Sequence, residues 1–180
     1  MSDIFTGKKT RLRAYRKEDV DAALAYINDP EVKRFLMPGV PFPLTRADEE
    51  KFLADISAFK DNYSFAIETL DGRYIGGCGI NSVDWKNSVC EAGIFIGDQS
   101  LWGKGFGTDA FGVLVGFVFS QMNINKVRLR VYDFNLRGIK SYHKLGFKKE
   151  GVLRQMVSYG GFFGDVAVYA LLRSGWEAWA

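Results

Sequence analysis

Thr10, Leu12 and Ala14 fall on every second position, the period of a β-strand. The spacing then changes: between residues 17 and 36, Val20, Ala23, Leu24, Ile27, Val32 and Phe35 suit a helix, and Pro30 forces a break after Asp29. GVPFPLT carries two prolines and cannot continue a regular element. It ends on Thr45, which can cap a helix predicted over 46–59 with Asp48 at its third position. Three alternating runs follow as an antiparallel meander, YSFAIET (63–69), RYIGGCGINSV (73–83) and SVCEAGIFIG (88–97), joined by the turns LDGR and DWKN. On the third run Ala92, Ile94 and Ile96 face one way and Glu91, Gly93 and Phe95 the other. A carboxylate thus stands on a face otherwise built from small or apolar groups.

Residues 105–121 return to helical spacing, with Ala110, Phe111, Leu114, Val115, Phe117 and Val118 on a broad apolar surface. After NINK, Val127, Leu129 and Val131 alternate with Lys126, Arg128 and Arg130 as a half-exposed strand. Residues 136–145 form a second short helix, capped by Asn135 and followed by Gly146 at the left-handed position. Strands at 148–158 and 166–172 close the chain around the turn YGGFFGD. No repeat or linker divides it, so residues 1–180 read as a single mixed α/β domain.

Composition narrows the function classes. With 47% hydrophobic and 15% aromatic residues, the chain of 180 buries a real core and is not disordered. Its charge of +3 comes from 24 basic and 21 acidic residues with no concentrated basic stripe, which argues against direct nucleic-acid binding. Cys78 and Cys90 are too few for a disulfide scaffold or metal cluster; a hairpin turning at Trp85 and Lys86 would set Cys90 opposite Asn81, leaving two free thiols. MSDIFTGKK lacks the apolar core of a signal peptide, and FGVLVGFVF falls far short of the ~20 residues that span a bilayer. The expectation is a soluble, cytoplasmic protein with no membrane partner.

Chemistry concentrates at LWGKGFGT, residues 101–108, where glycines alternate just ahead of a helix. Bare backbone N–H groups and the positive end of the helix dipole together make a cradle for a phosphate or diphosphate. A P-loop does not fit, because Lys104 is followed by Gly105 and Phe106 instead of a hydroxyl residue. Nor does a dinucleotide fingerprint: residues 97–102 separate the glycines from the preceding strand, and Asp133 lies well beyond the acidic position expected about 20 residues on.

WGKGFGTDA at 102–110, NINKVRLRVYDFNLRGIKSYHKLGFKKEGVLR at 123–154 and the closing GGFFGDVAVYALLRSGW resemble the GCN5-related N-acetyltransferase (GNAT) superfamily. The resemblance is closest to its RimJ/RimL-like branch of ribosomal-protein alanine and serine N-terminal acetyltransferases. LRAYRKEDVDAALAYINDPEV is similar to that branch's opening strand and helix, so nearly the whole chain is covered. The resemblance implies a mixed, mostly antiparallel central sheet flanked by helices, with a splayed strand pair forming the cofactor cleft. It implies acetyl-CoA as co-substrate and no metal. Gly105 and Gly107 match the small positions of the family's cofactor motif, and the amides of Gly103, Lys104, Gly105, Phe106, Gly107 and Thr108 would hold the diphosphate. Trp102 stands where that motif has glutamine or arginine, so charge assistance from this side chain is missing. Phe95 and Ile96 would supply amides to the pantetheine arm, Asn135 would contact it, and Tyr142 matches the general acid. A phenol beside the thioester sulfur can protonate the departing thiolate, and Asn135, Ile139 and Tyr142 follow one another at helical intervals.

Attack on the acetyl carbon needs a neutral amine. At pH 7 that state costs a lysine about 4.6 kcal/mol and an α-amine about 1.4 kcal/mol, from reference pKa values of about 10.4 and 8. The cheaper nucleophile is a protein or peptide N-terminus; a small amine such as a polyamine or aminoglycoside is the alternative, and a catalytically silent acyl-CoA-binding module is a third reading. Glu91 is the leading base or amine-orienting carboxylate, with a cross-strand pair or rim charge as its structural alternatives. Glu68 and Asp165 are secondary acidic candidates, and His143 is turned off the Tyr142 face. GVPFPLT and YGGFFGD are the expected substrate-facing segments, and Phe35, Phe42 and Phe162 could equally line a wall for a small hydrophobic or cyclic amine. Monomer and homodimer remain open.

Overall fold

The structure, a computed structural model, describes residues 3–36, 40–56 and 63–177. Its strands are β1 (Thr10–Arg13), β2 (Tyr63–Thr69), β3 (Tyr74–Asp84), β4 (Val89–Ile96), β5 (Lys126–Tyr132), β6 (Lys148–Tyr159) and β7 (Phe162–Leu172). They form one seven-stranded sheet in the order β1-β2-β3-β4-β5-β7-β6. Every neighbouring pair is antiparallel except β4 with β5, which is parallel. That pair is short: Val89, Cys90 and Glu91 face Lys126, Val127 and Arg128, and pairing stops there. Beyond Glu91, β4 stays with β3 as far as Ile96 while β5 stays with β7 as far as Tyr132, so a wedge opens between them.

The alternation that predicts strands also sorts the helices. Leu12, Ile67, Ile75, Ile80, Val127 and Leu129 meet Phe111, Leu114, Val115 and Val118 of α4 (Phe106–Gln121), and Tyr142 and Leu145 at α5 (Leu136–Lys144) join the same core. On the opposite face Ala66 and Tyr74 pack with Ala23 of α1 (Val20–Asn28). Pro30 breaks that helix as expected, starting α2 (Pro30–Lys33), whose cap Asp29 accepts from the Glu31 amide. The capping box of Thr45 and Asp48 opens α3 (Arg46–Asp55). The predicted extension of this helix to 59 lies partly outside the described residues; among those described it ends at Asp55. A short α6 (Arg173–Glu177) closes the fold.

Two turns depart from expectation. The β3–β4 hairpin closes on Asp84 and Val89, one residue later than a turn centred on Trp85 and Lys86, so Cys90 faces Val83 instead of Asn81; farther from the turn the register slips at Asn81, an extra residue between Ile80 and Ser82. Cys78 and Cys90 are both buried free thiols. The final turn is tighter than YGGFFGD: only Gly160 and Gly161 turn, both left-handed at φ 56° and 84°, and Phe162 already belongs to β7. Two adjacent positive φ angles give a two-residue hairpin matched to the strand twist.

Both ends of α4 are tied to distant chain. Its first-turn Asp109 accepts from the amides of Lys8 (2.9 Å), Lys9 (3.0 Å) and Thr10 (3.0 Å) and from the Thr10 hydroxyl (2.7 Å). At the other end the Arg173 guanidinium donates to the Met122 carbonyl (3.1 Å) and to those of Phe119 and Ile124, where the carbonyls at and beyond the last helical turn and the negative dipole end favour a cation. Asp109→Ala would leave the fully buried Thr10 amide without its acceptor. We expect it to lower the unfolding free energy by about 2–4 kcal/mol in urea titration, with Asp109→Asn recovering roughly half.

Candidate active site

The wedge continues into a cleft of about 920 Å³, within the range of small-ligand sites. One wall is the glycine turn. Gly103 and Gly105 are left-handed, at φ 74° and 88°, and a Cβ added at Gly103 would touch nothing within 4 Å. Backbone handedness, not crowding, demands glycine there. Gly105 is the N-cap of α4 and offers no side-chain acceptor, so the first amides of the helix open toward the cleft. Gly103, Gly105, Gly107 and Thr108 line it. Lys104 does not: its amide donates to the Leu101 carbonyl (3.3 Å) and its carbonyl accepts from the Lys9 ammonium (2.8 Å). The Phe106 ring also turns away, under the Lys9 ammonium.

Phe95 and Ile96 lie on the open edge of β4 and line the cleft, as Trp102 does. The indole N–H of Trp102 donates to the Ile96 carbonyl (2.8 Å), satisfying an acceptor that the parting of β4 from β5 leaves out of that ladder. Over the other side of the indole lies Arg137, its guanidinium carbon 3.7 Å from the ring centroid. Sequence reading missed Arg137. It shares a helical face with Ser141 and Lys144, both cleft residues, so the period of α5 held a signal for it. Phe35 meets the Trp102 and Phe134 rings, and the Tyr132 hydroxyl donates to the Leu36 carbonyl (2.9 Å). The segment after α2 is thereby pinned to β5.

Asn135 lines the cleft and caps α5, its side-chain oxygen accepting from the Gly138 amide (3.0 Å). That cap sets the start of the helix that carries Tyr142. Tyr142 is buried, packed edge-on against Phe111 and near Phe147, and faces the cleft. Burial pushes its phenol up to about 12; at neutral pH it holds its proton and is equipped to give one. His143, next in sequence, points elsewhere and meets the Tyr169 hydroxyl at 3.4 Å.

Glu91 occupies the last paired position before the wedge and is 7% exposed. One of its oxygens accepts from Arg130 Nε (2.9 Å) and Nη2 (2.8 Å), and the other lies 3.3 Å from Arg128 Nε. This is the cross-strand pairing that sequence analysis held as an alternative to catalysis. Glu68 is buried among Arg11, Arg13 and Arg16 and does not line the cleft. Asp165 accepts from the Gln155 amide at an irregularity of β6 and is likewise outside. Of the aromatic wall, Phe35 lines the cleft, whereas Phe42 and Phe162 are exposed and do not.

The far end of the cleft has a bare floor. Gly79 and Gly93 face each other across β3 and β4, and Gly77 adjoins them on the same side. A Cβ at Gly77 would stand 2.1 Å from the Tyr15 hydroxyl. Tyr15, Phe52, Ser64, Asn81 and Glu91 surround this floor. Burial pushes the Tyr15 phenol and the Cys78 thiol well above their ordinary ranges, so Cys78 is a poor nucleophile although it lies in the wall. Among the described residues, no group of three or more His, Cys, Asp or Glu side chains could hold a metal ion. No described helix is long and apolar enough to cross a membrane.

Comparison with known proteins agrees with this architecture. N-acetyltransferase p20 of Bacillus licheniformis is 33% identical over 177 residues, covering 96% of this chain and 97% of that protein. Spermidine N-acetyltransferase from Vibrio cholerae, solved with CoA and spermine, superposes with a TM-score of 0.80 at 22% identity over 93% of this chain and 98% of its own. RimL, a ribosomal L7/L12 alpha-N-protein acetyltransferase solved with coenzyme A, gives the same TM-score of 0.80 at 18% identity, with 92% and 94% covered. The fold is therefore shared by enzymes named for different amines, and the RimJ/RimL-like branch is not singled out. Residues 9–148 match the model of the acetyltransferase (GNAT) domain, and with the near-complete span of the p20 likeness this shows that the chain belongs to that family.

Proposed function

We propose that the protein transfers the acetyl group of acetyl-CoA to the N-terminal α-amine of a protein or peptide. One observation carries the choice of acceptor: Glu91 is the sole carboxylate among the described residues lining the cleft, and it is tied to two arginines. Arg130, Arg137, Lys140 and Lys144 line the same cleft. A polyamine or aminoglycoside brings several positive charges and calls for carboxylates free to meet them. An α-amine brings a single charge and loses it at a cost of about 1.4 kcal/mol at pH 7. The relative RimL, named as an alpha-N-protein acetyltransferase, is consistent with this reading.

The residues present fit acetyl-CoA: open amides at the start of a sixteen-residue helix, an unpaired strand edge and a basic lining suit an anionic, extended molecule. When bound, it supplies an acetyl group already activated as a thioester. In this reading the amides of Gly103, Gly105, Phe106, Gly107 and Thr108 grip the diphosphate, and β4 at Phe95 and Ile96, with Asn135 opposite, aligns the arm. Tyr142 donates its proton to the departing sulfur. Glu91 holds Arg130 and Arg128 at the apex of the wedge and orients the acceptor's surroundings; the amine loses its proton to water. Orientation of two bound reactants then does most of the work, with no enzyme-bound acyl group needed.

Incubation with acetyl-CoA and a panel of peptides, spermidine and an aminoglycoside, read by mass, should show one acetyl group on peptide N-termini. Preferential acetylation of spermidine or the aminoglycoside would overturn the acceptor assignment, and no transfer to any amine would favour a silent acyl-CoA-binding module. Tyr142→Phe should lower kcat about 10²–10⁴-fold while acetyl-CoA affinity, measured by calorimetry, changes less than about twofold. The pH profile offers a separate check. Because Tyr142 keeps its proton up to about 12, kcat/KM should rise to a plateau as the amine titrates near about 8, with no Tyr142-dependent fall below about pH 11. A descending limb near pH 10 that disappears in Tyr142→Phe would contradict the buried phenol.

A further inference from the structure

The cofactor-binding part of this reading leaves an electrostatic gap, because Trp102 stands where the family motif has a side chain able to assist the phosphates. We propose that Arg137, stacked on Trp102, supplies the positive charge for the cofactor's diphosphate. The inference rests on the proposed binding of acetyl-CoA in this cleft.

Arg137 lies against the Trp102 ring at 3.7 Å and within 5.0 Å of the Phe35 centroid, and it lines the cleft together with Gly103, Gly105, Gly107 and Thr108. Trp102 directly precedes Gly103, so the stacked guanidinium borders the open amides of the turn. A guanidinium lying on an aromatic ring keeps its N–H donors at the rim, in the arrangement that meets phosphate oxygens two at a time. Its lack of a partner points the same way. Among the described residues Arg34 pairs with Glu31, and Arg128 and Arg130 pair with Glu91, but Arg137 forms no ion pair. Burial, and then the neighbouring Arg34 charge, lower its pKa. The guanidinium still stays charged at neutral pH, so the cleft holds a cation in surroundings that favour an incoming anion.

Trp102 then acts as a positioning residue with two attachments. Its N–H fixes the Ile96 carbonyl on β4, and its ring holds a charge from the start of α5. One side chain braces both walls of the wedge, which an isolated glutamine or arginine at this position would not do by the same contacts.

The test is binding of CoA, dephospho-CoA and pantetheine to the full chain, measured by calorimetry at two salt concentrations. Arg137→Ala should weaken CoA and dephospho-CoA alike by about 10–100-fold, flatten the salt dependence, and leave pantetheine binding unchanged. Arg137→Lys should fall between the two. Trp102→Leu should weaken CoA to a similar degree, and the double variant should lose less than the product of the single losses because the two residues act together. Thermal melting of each variant separates loss of the site from loss of the fold; Arg137→Lys keeps the test decisive should Arg137→Ala melt early. Unchanged CoA affinity in the Arg137 variants would overturn the inference. So would a loss confined to CoA and absent for dephospho-CoA, which would place the contact at the 3′-phosphate. Failure of wild type to bind CoA would instead sink the functional reading beneath it.

Discussion

The parting of β4 from β5 is the constraint on which the rest depends. Three parallel rungs hold the two strands together, and each then follows its other neighbour. A sheet that stops pairing in its interior exposes backbone groups that need partners. The protein meets one of those needs itself, through the Trp102 indole on the Ile96 carbonyl. The remainder of the edge is available to an extended ligand, and the glycine turn at the start of α4 faces the same gap.

Charge is distributed to suit that opening. Glu91 sits at its apex between Arg128 and Arg130, so the negative charge nearest the split is already matched. Farther out, Arg137, Lys140 and Lys144 line the cleft without a second carboxylate among the described residues. The field is therefore positive where a polyanionic molecule would lie. The opposite end is aromatic and small, built from Tyr15, Phe52 and the glycines of β3 and β4.

Much of this was legible in the sequence because it is local. Alternation placed the strands, Pro30 placed the helix break, and Thr45 with Asp48 marked a helix start that the capping box reproduces. The left-handed glycines before α4 announced themselves by spacing. What sequence could not supply depended on pairing across distance. The slip at Asn81 leaves no local pattern, and a turn that closes on Asp84 and Val89 sets Cys90 opposite Val83. The engagement of Glu91 by two arginines follows from the register of a parallel pair whose strands are separated by α4. Arg137 meets Trp102 only once α5 is laid beside the glycine turn. Lys104 fitted the motif by position, but its amide is already engaged within the turn.

The bare floor at Gly79 and Gly93 has an uneven tolerance for change. A carbon added at Gly93 would meet only the tip of the Asn81 side chain, at 3.3 Å, whereas one added at Gly79 would press to 2.7 Å on the Tyr63 backbone carbonyl. A change in the shape of this end of the cleft therefore has a natural outlet at Gly93, where a new methyl or hydroxyl fills space while the scaffold stays put. Its partner across the strands is held to glycine by the main chain itself, so selection on the one can proceed without disturbing the other.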